Sequence, residues 1–315
     1  MSTTAPLSFD AVTVTLNPAI DRTVAISGFK PGAVNRVESV CNTAGGKGVN
    51  VAASLADAGS RVAVTGFLGR ENATIFERLF ASKKITDSFV RIEGETRIGI
   101  KITDPQDAST TDINFPGIAP EPGDIQTLCI KMETLKAPWF VLGGSVPPGV
   151  RPAIYRDIVS FLKELGRKVL VDTSDEPLRL ALVAAPTIIK PNIHELEALL
   201  GISLPDEASV IKAARTLVES GIEMVVVSMG KKGACFVTKD DSVIARPPDI
   251  EVRSTVGAGD AMVAGIISAQ LQGLPLDACA ELGTAFSVQA LTRQLKPCAD
   301  FPAAVADTRR QVILS

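Results

Sequence analysis

Histidine is nearly absent from this 315-residue sequence, and its cysteines are few and scattered. His194 is the only histidine, and the five cysteines include no Cys-x-x-Cys pair: Cys41, Cys129, Cys235, Cys279 and Cys298. A zinc site needs clustered Cys or His ligands, and a Ser-His-Asp triad needs a histidine base. We therefore expect neither site, and we expect the cysteines to be reduced thiols of a cytoplasmic protein.

The sequence also lacks long hydrophobic runs and an excess of positive charge. No apolar stretch approaches the roughly 20 residues of a membrane helix. No Lys or Arg precedes Arg22, although a signal peptide would begin with positive charge. The formal net charge is −3, which disfavours a broad nucleic-acid-binding surface. We therefore expect a soluble cytoplasmic protein with no membrane partner and no nucleic-acid partner.

Short strand-like segments alternate with amphipathic helix-like segments through most of the chain. Hydrophobic residues make up 46% of the sequence, enough for a large core. The strand candidates are rich in Val and Ile, as in a buried parallel sheet: residues 11–16, 61–69, 139–144, 168–173, 187–192 and 224–230. Helix-like segments 152–166 and 207–221 each end at a glycine. This order predicts an α/β fold, a mostly parallel sheet with helices on both faces, in one domain spanning 1–315.

Two segments, 21–43 and 87–117, break this pattern. Both alternate polar and apolar positions around turn residues, which is typical of half-exposed antiparallel strands. We expect them to form a small sheet that stands off the main domain. An exposed apolar face on such a sheet would bind a ligand or a second subunit.

Two common nucleotide-binding motifs are missing. The segment "CNTAGGKGVN" fails as a P-loop, because Cys41 replaces its first glycine and Gly48 replaces the Ser or Thr that should follow Lys47. The segment "GAGDAM" fails as a dinucleotide fingerprint, because Met262 replaces its third glycine. We therefore expect neither a P-loop nucleotidase nor an NAD-dependent dehydrogenase.

The segment "STVGAGDAMVAG" sets two glycines before an acid and an apolar helical run: Gly257, Ala258, Gly259 and Asp260. Glycine weakens a helix interior, so these residues are expected at a helix N-terminus, where free N–H groups and the helix dipole favour phosphate. A carboxylate would repel a bound phosphate, so its presence there indicates a role in the reaction. Accepting the proton of a hydroxyl that attacks the phosphate is such a role. The alternative is a tight turn followed by an ordinary first-turn carboxylate.

Polar side chains also stand in two segments near the N-terminus. In "TAGGKGVNVA", Lys47 lies among glycines that permit close approach of a phosphate. In "LNPAID", which ends the first strand candidate, Asn17 and Asp21 are polar, and Asp21 could accept hydrogen bonds from sugar hydroxyls. The alternatives are a solvated lysine in a glycine turn and an ordinary turn carboxylate.

A further segment, "KPNIHELE" (190–197), follows a buried strand candidate and opens a helix. Asn192 and Glu195 are three residues apart, share a helix face and could hold a hydrated Mg²⁺. The alternative is a helix cap followed by a first-turn acid. His194, between them, is interpreted as a surface residue.

Together these segments resemble the PfkB (ribokinase-like) family of carbohydrate kinases. "AGGKGVNVA" with "GFLG" looks like the N-terminal signature of that family, "STVGAGDAMVAG" looks like its C-terminal signature, and "KPNIHELE" resembles its Asn-x-x-Glu motif. The resemblance covers nearly the whole chain. It implies a three-layer α/β/α domain with a β-sheet lid, often paired with a second lid in a homodimer. The lid would comprise segments of about 21–43 and 87–117.

The resemblance also implies cofactors and residue roles. ATP and Mg²⁺ would be required, Asp260 would be the catalytic base, and an anion hole would form from Gly257, Ala258 and Gly259. The sugar phosphate would be held by Asp21, Gly45, Gly46, Lys47, Asn50, Arg97 and Ser145. The nucleotide would be held by Lys190, Asn192, Ser228, Gly230, Gly233 and Thr255. The metal would be bound by Glu195 and Asp172.

Within the family, the segments "TLNPAID", "GETR" and "GGSVPPG" look most like those of 1-phosphofructokinases. The expected reaction is phosphorylation of a ketohexose phosphate, foremost fructose 1-phosphate to fructose 1,6-bisphosphate. Tagatose-6-phosphate kinase and 6-phosphofructokinase are the alternatives, because these substrates differ mainly in the position of one phosphate. A non-catalytic regulator that binds sugar or nucleotide is the alternative of another class. The segment "VDTSDEP" (171–177) departs from the family pattern, in which a glycine follows the serine.

Overall fold

The computed structural model describes residues 8–107, 109–252, 256–292 and 301–315. In these ranges the central sheet has 11 strands. They are β1 (Ala11–Thr15), β4 (Val62–Gly69), β5 (Thr86–Asp87), β6 (Val90–Ile92), β9 (Trp139–Gly143), β10 (Lys168–Asp172), β11 (Ile188–Ile189), β12 (Met224–Ser228), β13 (Ala234–Val237), β14 (Ser242–Arg246) and β15 (Ile313–Leu314). A separate sheet has four strands: β2 (Ala19–Ala25), β3 (Ser39–Gly45), β7 (Ile98–Asp104) and β8 (Ser109–Asn114).

The central sheet is parallel over most of its width. Its order is β15-β14-β13-β12-β11-β10-β9-β1-β4-β5, and β6 also pairs with β4. Seven neighbouring strands of this order run parallel: β12, β11, β10, β9, β1, β4 and β5. The remaining strands, β13, β14 and β15, add an antiparallel edge. The last residues of three neighbouring strands are in register: Thr15, Gly143 and Asp172. The segments that follow them therefore emerge together at one edge of the sheet, where parallel α/β proteins bind ligands.

Ten helices in the described ranges cover the sheet on two sides, as the sequence predicts. They are α1 (Lys47–Asp57), α2 (Thr74–Lys83), α3 (Pro122–Thr134), α4 (Ile154–Glu164), α5 (Asp175–Ala181), α6 (Ile193–Leu200), α7 (Glu207–Glu219), α8 (Ala258–Leu271), α9 (Leu276–Thr292) and α10 (Phe301–Arg309). Apolar residues of α3 to α7 pack in one core, and those of α1, α2, α8, α9 and α10 pack in a second core. The fold is therefore a three-layer α/β/α domain.

Side-chain periodicity explains this layering. Along β12, Val225 and Val227 enter one core, while Met224 and Val226 enter the other, because strand side chains alternate between faces. On α4 the buried residues recur at helical spacing and form a single apolar stripe: Ile154, Tyr155, Ile158, Val159 and Leu162. Gly166 follows α4 with a φ of 71°, as expected for a glycine that ends a helix.

The small sheet has the order β3-β2-β7-β8, and its strands come from the two segments with alternating polarity. β2–β3 and β7–β8 are antiparallel as expected, whereas β2 and β7 are parallel. The assignment of residues 87–92 to this sheet is wrong, because β5 and β6 pair with β4 of the central sheet. Val90 and Ile92 are buried and Arg91 is partly exposed, so this edge strand alternates in the same way as a strand of the small sheet.

Within the part of the chain that the structure describes, no helix is both long enough and apolar enough to cross a membrane.

Candidate active site

The N-terminus of α8 carries Asp260. Gly257 precedes the helix with a φ of 77°, in the left-handed region that glycine adopts without strain. Among the described residues, no side chain caps the helix at this position, and none has an atom within 4 Å of where a Cβ on Gly257 would stand. The first-turn amides of Ala258, Gly259 and Asp260 therefore have room for an anion at the positive end of the helix dipole. Thr255, predicted to contact the nucleotide, lies outside the described residues.

Asp260 is held by a contact from α1. Asn50 Nδ2 donates a hydrogen bond to Asp260 Oδ2 at 2.8 Å, and the Asp260 side chain is almost fully buried. Asn50 is predicted from the sequence to contact the sugar phosphate, but here its amide orients the carboxylate. The apolar positions of α8 lock this geometry, because Met262, Val263 and Ile266 are buried in the core between α8 and the sheet.

A buried carboxylate at the end of β10 joins two lysines. Lys47 Nζ lies 3.1 Å from both carboxylate oxygens of Asp172, and Lys190 Nζ lies 3.3 Å from Asp172 Oδ1. Asp172 is only 2% exposed and Lys190 only 4%. A Cβ built on Gly259 would stand 3.5 Å from Lys190 Nζ, so this ammonium reaches the first turn of α8. The charged centre thus brings together Lys47, Asp172, Lys190, Asn50 and Asp260.

These charges shift one another's protonation. Burial raises the pKa of Asp260; Lys47 opposes this and Asp172 reinforces it, so the pKa lies above its usual value. Burial also disfavours the charge on Asp172, but Lys190 and Lys47 outweigh it and lower its pKa. Burial lowers the pKa of Lys47, yet the carboxylates of Asp172 and Asp260 outweigh that effect and raise it. Asp172 therefore stays ionised between two ammonium groups, and Asp260 is the better proton acceptor of the two acids.

The small sheet contributes a third acid, beside the start of α1. Asp21 on β2 lies against Gly45 at the end of β3, where a Cβ would stand 2.5 Å from Asp21 Oδ2. A side chain at position 45, directly before Gly46 and the first turn of α1, would therefore displace the Asp21 carboxylate. Burial raises the pKa of Asp21, while Lys101 and Arg97 oppose that rise.

The predicted sugar-phosphate residues Arg97 and Ser145 meet at Asn17. Arg97 donates to the Asn17 carbonyl at 3.2 Å and to the Phe115 carbonyl at 3.1 Å. Asn17 Nδ2 donates to Ser145 Oγ at 3.1 Å and to the Pro116 carbonyl at 3.0 Å. These contacts connect the segments that follow β1 and β9 to the residues just before β7 and just after β8. The sequence marks Asn17 only as polar, and its connecting role becomes visible with the fold.

The residues predicted for the nucleotide follow β11 and β12. Asn192 and Glu195 form a reciprocal cap on α6, since Asn192 Oδ1 accepts from the Glu195 amide at 2.9 Å and Glu195 Oε2 accepts from the Asn192 amide at 2.8 Å. Asn192 also pairs with Ser228 across the two strand ends. Gly230 and Gly233 close the turn into β13, where the Gly233 amide donates to the Gly230 carbonyl at 3.0 Å. Each of these residues lies at the same edge of the sheet as Lys190.

The donor set around Glu195 is suited to a metal held mainly by a nucleotide. In the described ranges there is no group of three or more His, Cys, Asp or Glu side chains that could enclose a metal ion. Asp172 is engaged by two lysines, and one oxygen of Glu195 is used in the α6 cap. Mg²⁺ keeps several waters and takes few protein carboxylates when phosphates supply ligands. The second oxygen of Glu195 fits that arrangement, and Asp172 fits it poorly.

Sequence reasoning missed two residues that support the site. Lys101 on β7 lies 4.0 Å from Asp21, and only the pairing of β2 with β7 reveals that proximity. Tyr155 on α4 is fully buried and donates to the Gly144 carbonyl at 2.9 Å, beside the strand end that precedes Ser145. The alternation of β7 marks Lys101 as a side chain on one face, but the sequence does not tell which partner faces it.

The chain belongs to the pfkB family of carbohydrate kinases, whose family model matches residues 14–296. It is 48% identical over 282 residues to the 1-phosphofructokinase of Rhodobacter capsulatus, with 89% of each chain covered. It is 37% identical over 302 residues to the 1-phosphofructokinase of Escherichia coli K12, with 94% of this chain and 95% of the relative covered.

Solved structures agree with the fold. Escherichia coli phosphofructokinase-2 in complex with substrates and products superposes with a TM-score of 0.90 at 26% identity, over 95% of this chain and 98% of that chain. A Thermotoga maritima chain named "Possible 1-phosphofructokinase" superposes with a TM-score of 0.87 at 30% identity, over 97% and 98%. The expected ribokinase-like fold, with its mostly parallel sheet and smaller second sheet, is confirmed.

Proposed function

We propose that this protein transfers the γ-phosphoryl group of ATP to the C6 hydroxyl of fructose 1-phosphate, giving fructose 1,6-bisphosphate and ADP. The observation that carries this proposal is the 48% identity to a 1-phosphofructokinase, sustained over 89% of both chains. The charged centre at the α8 N-terminus supports the chemistry, because phosphoryl transfer needs positioning and charge stabilisation more than it needs covalent participation.

In the proposed reaction Asp260 acts as general base. The C6 oxygen forms a bond to the γ-phosphorus while the bond from that phosphorus to the ADP oxygen breaks. The hydroxyl proton passes to the Asp260 carboxylate, which burial makes more basic and which Asn50 orients. The first-turn amides of α8, with Lys190 beside Gly259, stabilise the negative charge on the transferring group. Mg²⁺ would enter with the nucleotide, near Glu195, and neutralise part of the phosphate charge.

The sugar phosphate is proposed to bind between the small sheet and the strand ends. Asp21 is available to accept hydrogen bonds from sugar hydroxyls, and Lys47, beside Gly46 at the start of α1, supplies positive charge. Arg97 and Ser145 are tied together through Asn17, which supports a common role on the phosphate side of the substrate. Because Asp21 lies on the small sheet, closure of this sheet as a lid would bring it onto the substrate and exclude water.

We also propose a cytoplasmic homodimer that forms through the small sheet. Val40 on β3 and Ile113 on β8 are 58% and 45% exposed, and the register places them on one face of the sheet, opposite to Asp21. An apolar sheet face of this kind favours a self-complementary partner. Dimers seen by light scattering for the wild type, and monomers for Val40→Asp with Ile113→Asp, are the expected result. A wild-type monomer at micromolar concentration would contradict the dimer.

A coupled assay of ADP release tests the proposed reaction. ATP and Mg²⁺ are supplied with fructose 1-phosphate, tagatose 6-phosphate or fructose 6-phosphate in turn. We expect the highest kcat/KM with fructose 1-phosphate. A higher value with either other sugar phosphate would overturn the substrate assignment. Absence of turnover with all three would favour a non-catalytic sugar- or nucleotide-binding regulator.

The second candidate is 6-phosphofructokinase activity. The observation in its favour is the structural likeness to Escherichia coli phosphofructokinase-2 in complex with fructose-6-phosphate, at a TM-score of 0.88. That chain is 26% identical to this one, well below the 48% identity to the Rhodobacter capsulatus 1-phosphofructokinase, so fructose 1-phosphate remains the first choice.

A further inference from the structure

Three side chains form a short charged row on the face of the small sheet that carries Asp21. The register pairs Asp21 on β2 with Gly99 on β7, and Lys101 on β7 with Asp112 on β8. Residues two apart on a strand share a face, so Lys101 stands on the same face as Gly99 and Asp21. The missing side chain at Gly99 leaves space beside Asp21, since a Cβ there would lie 3.2 Å from Asp21 Oδ1.

Lys101 is shared by the two acids. Its Nζ lies 3.5 Å from Asp112 Oδ1 and 4.0 Å from Asp21 Oδ1. Lys101 and Asp21 are each 19% exposed, whereas Asp112 is 51% exposed. A partly buried ion pair is screened less by water than a surface pair, so the Lys101 charge lowers the pKa of Asp21 against the larger effect of burial.

We propose that Lys101 is a positioning residue for sugar binding: its ammonium, which also contacts Asp112, favours the charged form of the Asp21 carboxylate and orients it beside Gly45. Asp21 in the ionised form offers only acceptors, so both of its oxygens can receive hydrogen bonds from sugar hydroxyls. A protonated Asp21 would lose one acceptor position and part of the strength of a charge-assisted bond. This inference rests on the proposed function only in its choice of sugar phosphate.

The charged groups around Asp21 come from two neighbouring elements. Lys101 lies on β7 and Arg97 directly before it, and both lower the pKa of Asp21; Asp112 on β8 raises it. Burial has the largest effect and raises it further, so the pKa ends above its usual value. Strand β3, which packs on the other side of β2, has the sequence Ser-Val-Cys-Asn-Thr-Ala-Gly and adds no charge. Removing Lys101 and removing Asp112 should therefore shift Asp21 in opposite directions.

The test is a pH series on four variants: Lys101→Met, Lys101→Arg, Asp112→Asn and Lys30→Met. Binding of fructose 1-phosphate without ATP and kcat/KM for the same sugar are both measured against pH. Both quantities should fall at low pH as Asp21 becomes protonated, and this fall is the acid limb of the profile. In Lys101→Met the acid limb should move to higher pH by about one unit or more, as expected for loss of a cation within about 4–6 Å of a carboxylate. In Asp112→Asn it should move down. The phosphate of the substrate ionises in the same way in the experiments with the wild type and with each variant, so its effect cancels when the profiles are compared.

The controls separate positioning from general damage to the fold. Lys101→Arg should restore the wild-type limb, and Lys30→Met, which removes an exposed charge from the turn after β2, should leave it unchanged. The KM for ATP should stay at the wild-type value in all four variants. A limb that stays in place in both Lys101→Met and Asp112→Asn, or moves the same way in both, would overturn the inference.

Failure of the proposed function gives a different result. If the wild type prefers another ketohexose phosphate, the substrate assignment is overturned, and the same series with that phosphate tests Lys101. If the wild type turns over fructose 1-phosphate but the opposite shifts are absent, the inference about Lys101 alone is wrong.

Discussion

Asn50 Nδ2 donates a hydrogen bond to Asp260 Oδ2 at 2.8 Å, and this contact joins the first turn of α1 to the first turn of α8. The first residue of α1 is Lys47, which pairs with Asp172. One helix therefore carries both the amide that orients the proposed base and an ammonium of the charged centre. A small rotation of α1 would disturb the two together.

The first prediction concerns Asn50. Replacing it by Ala removes the donor to Asp260, which by itself raises the pKa of that carboxylate. A hydrogen bond to a charged group contributes about 1.5–3 kcal/mol, so kcat should fall by about 10- to 100-fold. The acid limb of the kcat profile should also move to higher pH. Both are measured with the ADP-release assay between pH 5 and 9.

Asn35→Ala is the matched control, because the Asn35 amide binds the turn after β2, through the Lys30 and Ala33 carbonyls, and contacts no part of the charged centre among the described residues. It should leave kcat and its pH profile unchanged. An Asn50→Ala enzyme with the same kcat and the same acid limb as the wild type would show that this hydrogen bond has no role in turnover.

The second prediction concerns Arg97. Its guanidinium binds the carbonyls of Asn17 and Phe115 at the edge of the proposed sugar-phosphate site. Arg97→Ala should raise the KM for fructose 1-phosphate at least tenfold, because a charge-assisted contact to phosphate is lost, and leave the KM for ATP unchanged. Arg97→Lys keeps the charge but loses the planar fork, so it should recover only part of the loss. If the KM for the sugar phosphate stays at the wild-type value in Arg97→Ala, Arg97 does not contact the substrate.

The third prediction concerns stability and Asp172. Asp172→Asn removes the carboxylate that forms an ion pair with the buried Lys190, which should lower the free energy of unfolding by about 3–5 kcal/mol. The folded protein holds the pKa of Asp172 below its usual value, so the carboxylate contributes stability above its unfolded pKa of about 4. That contribution disappears as pH falls below about 4, toward the lower folded pKa. The difference between wild type and variant should therefore be full at neutral pH and shrink in acid.

Urea unfolding from pH 3 to 8 measures this difference. Glu176→Gln is the control, because its ion pair with Arg179 is exposed and should contribute about 0–1 kcal/mol. An Asp172→Asn protein as stable as Glu176→Gln at pH 7 would mean that the buried charge is compensated elsewhere.

The central sheet could be predicted because its strands are short, apolar on both faces and separated by amphipathic helices. β1, β4, β9, β10 and β12 all lie within predicted segments. β11 contains only Ile188 and Ile189, and the ladder is interrupted at Pro191, which has no N–H to donate, before Asn192 pairs with Ser228. Assigning the whole alternating segment 87–117 to the small sheet is wrong for residues 87–92, because β6, at the edge of the central sheet, also has one partly exposed face.

The glycines of the sequence predicted the α8 N-terminus and the turn before α1, because both places require backbone freedom or close approach of a ligand to the backbone. The long-range pairs could not be found this way: Asn50 and Asp260 are 210 residues apart, and Lys47 and Asp172 are 125 apart. Only the sheet order brings them together. In "VDTSDEP", Asp175 stands where the family pattern has a glycine. Its φ of 56° lies in the left-handed region that glycine favours. Aspartate tolerates this left-handed conformation better than most residues.

The most direct test of the account is the turnover of Asp260→Asn. The substitution keeps the size of the side chain and the hydrogen bond to Asn50 but removes the proton acceptor, so kcat should fall by about 10²- to 10⁴-fold. Binding of fructose 1-phosphate should persist, and Tm should not fall, because burial already disfavours the charged carboxylate. An Asp260→Asn enzyme that folds, binds the sugar and turns over within a few-fold of the wild type would contradict the proposed base.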